Sequence, residues 1–269
     1  MRMEISRYYF IVFSSAILLS LALQSCLDST TSEVYDDSEQ QPGPYSHTDH
    51  PGYAANDFLA DSNFTNLIVE VDYMPGYAPN NDALDSLKAF FEQRLHKNSI
   101  TIKEPTEIES GNQQKYSANE IRNIEQDERS TFSQGDTLAA YMIIVDGKYE
   151  ERDLLGIAYY NTSNAFFGPS YEEASSGIGP PSRYQIEAIS FRHEFGHLFG
   201  LVAIPGSGTE MQNPHKDPDP DHGNHCDNDE CLMYYASERT QLITNHITGD
   251  DITPLDDNCI ADLQANGGK

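Results

Sequence analysis

Tryptophan is absent from the chain and cations are scarce: 16 Lys+Arg stand against 43 Asp+Glu, a formal net charge of −27 over 269 residues. So little positive charge argues against a protein that tracks the phosphates of nucleic acid, whose surfaces concentrate Lys and Arg. It argues equally against a polybasic grip on anionic lipid. Four cysteines, Cys26, Cys226, Cys231 and Cys259, are too few to frame a disulfide-stapled miniprotein. The longest apolar run, Tyr8 to Leu23, falls short of the ~20 residues that cross a bilayer. Hydrophobic residues make up only 38%, yet 12 Phe and 16 Tyr can fill a core. The deficit therefore belongs to part of the chain, and the length suits one domain with a tail.

The tail is N-terminal. Residues 1–25 combine a basic start, an apolar stretch and a small-residue break, the pattern of an export signal. Leu23-Gln24-Ser25-Cys26 resembles a bacterial lipobox. That resemblance implies lipidation of Cys26 and an exported, membrane-anchored lipoprotein of a Gram-negative bacterium, periplasmic or on the cell surface. Cys26 to Asp61 holds eight acids and no Lys or Arg, so residues 26–60 read as a disordered acidic tether. His47 and His50 read as solvated residues within it.

Residues 61–269 read as one domain, with an upper part over 61–200 and a lower part over 201–269. Asn66 to Tyr73 alternates β-branched and polar residues as a strand does; Asn81 to Lys97 carries a helical apolar stripe; Ser99 to Ile108 reads as a second strand. Ser117 to Arg129 is a polar helix or ordered loop. Thr137 to Asp146 is a nearly continuous apolar run, suited to a buried central strand. Gly156 to Tyr160 is a short strand, followed by a Gly/Ser/Pro-rich stretch from Asn161 to Ser182. Tyr184 to Leu201 reads as a long helix, and Pro254 to Gln264 as a last one. The expected class is α/β or α+β: a twisted mixed sheet with a backing helix, a chemistry-bearing helix and a small irregular C-terminal part.

The chemistry sits on the long helix as His193-Glu194-Phe-Gly-His197. Histidines at i and i+4 share a face and can ligate one zinc, with Glu194 beside them as general base for a zinc-activated water. A catalytic zinc needs a third protein ligand. The motif resembles that of the metzincin metallopeptidases, whose helix ends at a glycine, here Gly200, with a third histidine soon after. Ala203 occupies that near position. The match resumes at His225-Cys226-x4-Cys231-x-Met233, which resembles the third ligand and Met-turn of archaemetzincins. The resemblance implies a zinc endopeptidase with ligands His193, His197 and His225, general base Glu194, and Met233 packed under the metal. It also implies an insertion between Gly200 and His225. His215 and His222 lie inside that insertion at other distances from Met233. Tyr235 stands where some metzincins keep a tyrosine near zinc, and Gly156 to Tyr160 resembles their substrate-pairing edge strand.

Archaemetzincins hold a second, structural zinc with a later Cys-x-x-Cys. Here only Cys259 follows, with Asp256 and Asp262 at the positions that could complete such a pair. The expectation is therefore a disulfide among Cys226, Cys231 and Cys259, leaning towards Cys226–Cys231. The insertion's acids offer oxygen donors for a calcium ion without EF-hand spacing. Residues 210–231 carry seven acids against Lys216, an acidic approach suited to cationic segments of a peptide or protein substrate. Alternatives are a thermolysin-like zincin using Glu210 or Glu230 as ligand, or a non-catalytic zinc-containing surface binding lipoprotein. A monomer is expected.

Overall fold

The computed structural model describes residues 45–176, 181–247, 249 and 251–269. The export signal, Cys26 and the first part of the expected tether lie outside them. Among the described residues no helix is long and apolar enough to cross a membrane.

The tether expectation is corrected at its C-terminal end. Residues 45–60 pack on the domain, and α1 (Ala55–Leu59) buries Ala55, Phe58 and Leu59. Phe58 meets Phe195 and Phe199 across the core. Three aromatic or aliphatic side chains on one helical turn outweigh the local acidity, a contest that composition averaged over a window conceals. His47 is half-buried against Phe132, whereas His50 is exposed. Lys97 Nζ bonds the carbonyls of Asp57, Ala60 and Phe64, holding this segment to the end of the next helix.

The strand–helix–strand unit consists of β1 (Asn66–Tyr73), α2 (Asn81–Arg94) and β2 (Ser99–Ile102), with β1 and β2 parallel. The second strand ends before Pro105, which lacks an N–H for the ladder, and β3 (Thr106–Glu107) resumes pairing with β1. β4 (Lys115–Tyr116) and β6 (Lys148–Tyr149) form a separate parallel pair. Between them lie α3 (Ala118–Glu128), opened by a Ser117/Glu120 capping box, and β5 (Thr137–Val145). β7 (Gly156–Tyr160) turns directly into β8 (Ser163–Phe167).

The main sheet runs β2-β1-β5-β8-β7; its first four strands are parallel and β7 is an antiparallel edge. β8 lies in the stretch read as Gly/Ser/Pro-rich, where five residues give too short a pattern to announce a strand. β5 is apolar throughout because both its faces are covered. Leu138, Ala140, Met142 and Ile144 join the core shared with α2 and α5 (Arg183–Leu198), while Tyr141, Ile143 and Val145 join Ile121 of α3 on the other side. The remaining helices are α4 (Gly168–Ala174), between β8 and α5, α6 (Ile243–His246) and α7 (Asp257–Ala265). After Gly200 the backbone is irregular apart from short turns, α6 and α7. The class is thus mixed α/β, with helices on both faces of a mostly parallel sheet.

Candidate metal centre

A capping box between Ser182 and Gln185 starts α5, and the chain leaves it through Gly200 at φ +77°. A left-handed residue there is cheap only for glycine. One buried face of α5 presents His193 and His197, whose rings meet at 4.9 Å between centroids. His225 arrives from the loop beyond the insertion and completes the group, 5.1 Å from each of the other rings. His215 and His222 lie elsewhere: the first contacts Cys226, the second stacks on Tyr235. Glu210 and Glu230, the ligands of the thermolysin-like alternative, are both exposed.

Hydrogen bonds fix the state of two of these imidazoles. His193 Nδ1 donates to the carbonyl of Leu232 at 2.7 Å, and His225 Nδ1 donates to the carbonyl of His222. A carbonyl only accepts, so each Nδ1 carries a hydrogen, and a neutral ring held this way presents a bare Nε2. Those two Nε2 atoms face each other at 3.1 Å. Burial first, then the neighbouring His225, holds the pKa of His193 down to about 3; burial and both neighbours keep that of His197 well below its ordinary value. Two lone pairs aimed at one point repel unless a cation lies between them. Tetrahedral zinc with Zn–N bonds of ~2.0–2.1 Å sets its nitrogens ~3.3 Å apart. The donor set fits zinc.

Glu194 is almost wholly buried, and its Oε1 has no protein partner. Burial, followed by the charge of Glu238, pushes its pKa well above the usual carboxylate range. A cation among the imidazoles opposes that shift. Gly156 makes room for Glu194, since a Cβ there would stand 2.9 Å from Glu194 Cγ. Gly196 does the same for Met233: a Cβ would meet Met233 Sδ at 2.4 Å. The buried methionine therefore packs on the helix between its two histidines, and the glycine inside the motif has a steric cause that the sequence pattern alone did not supply.

Glu238 is the group that sequence reading missed. It ends a 3₁₀ turn over Tyr235–Glu238, and the N–H of Leu155 bonds its carbonyl at 2.8 Å. Its Oε2 lies 3.6 Å from His225 Nε2, and its carboxylate belongs to the cluster formed by the three histidines. Tyr235, which the resemblance set as a candidate near the metal, stacks its ring on His222 as an aromatic packing residue, with centroids 3.4 Å apart. Only the turn after Met233 decides which side chain points inward, and no local motif announces that. A cleft of about 220 Å³ opens on Glu194, His197, His225 and Glu238, walled by Pro51, Ile157, Ala158 and Ile204. Pro51 comes from the segment expected to be tether.

One further expectation finds no support and another is corrected. The insertion's acids are engaged locally: Asp217 holds His222 at 2.8 Å, while Asp217 and Asp219 each accept the backbone N–H two residues on. Their oxygens are spent on local turns. The cysteines Cys226, Cys231 and Cys259 are buried and free. Cys231 and Cys259 sulfurs stand 3.6 Å apart, against ~2.05 Å for a covalent bond.

A scan of protein families finds no match, and a search of curated proteins finds none either. Among solved structures the chain resembles the archaemetzincin of Methanopyrus kandleri, with 14% identity and a TM-score of 0.47 over 76% of this chain and 96% of that one. A likeness that distant identifies neither a family nor an activity.

Proposed function

We propose that the protein is a zinc-dependent endopeptidase, with His193, His197 and His225 as metal ligands and Glu194 as general base. The observation that carries this reading is the pair of bare Nε2 atoms at 3.1 Å beside an unpartnered, buried carboxylate. Bound there, zinc supplies a Lewis acid and lowers the pKa of water towards 7. Glu194 Oε1 takes the proton of the attacking water and returns it to the departing amine. The edge strand β7, whose Ile157 and Ala158 wall the cleft, pairs its backbone with an extended substrate. The test is zinc content together with hydrolysis of a mixed peptide library by the purified chain. Zinc binding without any cleavage would sink the peptidase reading and favour a binding protein.

The same reading gives Glu238 a role in specificity. A carboxylate in the cleft, with Asp229, Glu230 and Asp251 lining the neighbouring cavity, favours cationic side chains near the scissile bond. Glu238→Gln is expected to lower kcat/KM about tenfold for peptides with Lys or Arg there, ~1.4 kcal/mol, and to leave neutral peptides within twofold. The wild-type preference weakens as salt rises. Equal losses for both peptide classes would show that Glu238 acts on the metal rather than on substrate charge.

The cellular setting rests on residues 1–26. We place the domain outside the cytoplasm, held to a membrane by acyl chains on Cys26. Cys26→Ser is expected to move the protein from the membrane fraction to the soluble one. An unchanged membrane fraction would remove the lipid anchor from the proposal.

A further inference from the structure

Beside the metal ligands the cleft has an apolar wall whose side chains the chemistry above does not use. Pro51, Ala158 and Ile204 line it, and all three are half-buried. They come from three elements: the segment before α1, the edge strand β7 and the start of the insertion. Among the described residues Ile204 joins neither apolar cluster of the core, so packing does not account for its place. We propose that Pro51, Ala158 and Ile204 form a subsite that selects an aliphatic side chain of the peptide substrate, across the scissile bond from the side chain that faces Glu238. The proposal rests on the peptidase reading and adds a second specificity element to it.

Two backbone hydrogen bonds set this wall and Glu238 at opposite ends of β7. Leu155, just before the strand, donates its N–H to the carbonyl of Glu238 at 2.8 Å. Asn161, just after the strand, donates to the carbonyl of Asp49 at 2.8 Å, two residues ahead of Pro51. A peptide laid along the strand therefore meets a carboxylate at one end and apolar carbon at the other. Ala158, between the two ends, projects only a methyl group and leaves the space open for a guest side chain.

The backbone presents Ile204 at a cost. Val202 and Ala203 have φ of +58° and +42°, directly after Gly200 and Leu201. A β-branched residue in that region is a steric outlier, and such strain persists only where the surroundings impose it. The turn keeps Leu201 and Val202 in the core and brings Ile204 out into the cleft. Both halves of the wall are fixed before a substrate arrives. The carbonyls of Ser46 and His47 accept from Asn161 Nδ2 at 3.0 Å and Thr162 Oγ1 at 3.4 Å. Gly52, at φ +82°, lies so close to the insertion that a Cβ would stand 2.7 Å from Ser207 Cβ and 3.3 Å from the carbonyl oxygen of His197. Ser207 N in turn donates to the carbonyl of Ile204 at 3.0 Å, and Thr209 Oγ1 to that of Gly200 at 2.8 Å. A subsite held this firmly loses little entropy when it binds.

The test uses the full wild-type chain and acetylated, amidated peptides that carry one Lys and, a few residues to either side of it, Leu or Ser. Mass spectrometry locates each cut. Leu should exceed Ser in kcat/KM by about tenfold or more at a position across the cut from Lys. Ile204→Asn should reduce that preference to about threefold or less, and Pro51→Ser should reduce it too, both with the zinc content of wild type. Ile204→Ala, which deepens the subsite, should move the optimum from Leu to Phe, a gain that misfolding cannot imitate. Leu and Ser equal within about twofold at every position, or a preference unchanged in both Ile204→Asn and Pro51→Ser, overturns the proposal. So does a preference on the same side of the cut as Lys. If wild type cleaves nothing, the dissociation constants of labelled copies of the same peptides, read by fluorescence anisotropy, carry the test. A ratio of about tenfold for Leu over Ser then keeps the subsite while the peptidase reading falls. Equal affinities, or no binding of either peptide, remove both.

Discussion

If the proposed function holds, Glu194→Gln is expected to bind as much zinc as the wild-type protein and to lower peptide hydrolysis by at least the ~10²–10⁴-fold associated with a lost general base. Glutamine keeps the size and shape of the side chain in its slot beside Gly156, so the three histidines, and the carbonyls that hold His193 and His225, stay in place. What disappears is a carboxylate able to accept a proton at Oε1, the atom without any protein partner. Metal analysis and kcat/KM on one peptide check both halves. Activity within tenfold of wild type would remove Glu194 from the base role. Loss of zinc instead would make it part of the metal's support.

The second large effect concerns stability and lies on α3. Arg129→Met is expected to cost ~3–5 kcal/mol, because it leaves Glu125 as an uncompensated buried charge. For a domain of this size that lowers Tm by roughly 10 °C. Arg129 Nη1 pairs with Glu125 Oε1 at 2.7 Å, with their side chains 0% and 3% exposed. The same guanidinium bonds Thr162 and Ser163 hydroxyls at 3.3 Å each, the carbonyl of Ala139 at 3.0 Å and that of Thr131 at 2.9 Å. It thereby fastens the end of α3 to β5 and to the turn that starts β8. Glu125→Gln/Arg129→Met should recover part of the loss, since no charge then remains buried. A thermal melt of the three proteins decides; a drop under 2 °C for Arg129→Met would show the pair to be solvated.

These two residues illustrate how unevenly the molecule could be read. Glu194 announces itself, because the i, i+4 spacing of His193 and His197 is a geometric statement about one helical face. Glu125 and Arg129 have the same spacing and announce nothing, because a salt pair on a polar helix is ordinarily a solvated one. Burial comes from α3 lying on the second face of the sheet, and the sequence holds no local sign of that. β5 was legible as a central strand from its unbroken apolar run, but β8 was too short to stand out. Residues 45–60 went the other way: their acids suggested a tether, and Phe58 and Leu59 tie them into the core.

At the candidate metal centre the divide is equally physical. His193, Glu194, His197 and Gly200 follow from periodicity within a single helix, and His225 and Met233 were proposed from a motif resemblance further along. What local spacing cannot express is which side chains meet across irregular backbone. The inward turn of Glu238, the contact of Gly196 with Met233, and the approach of His215 to Cys226 and Cys259 all depend on how the chain after Gly200 folds back. The sequence by itself determined a helix with His193, Glu194 and His197 one turn apart, an acidic composition and an α/β core. Only the tertiary structure decided that His215 of the insertion is buried against Cys226 and that Glu238 stands beside His225 while Tyr235 stacks on His222, because such contacts join residues whose separation along the chain obeys no period.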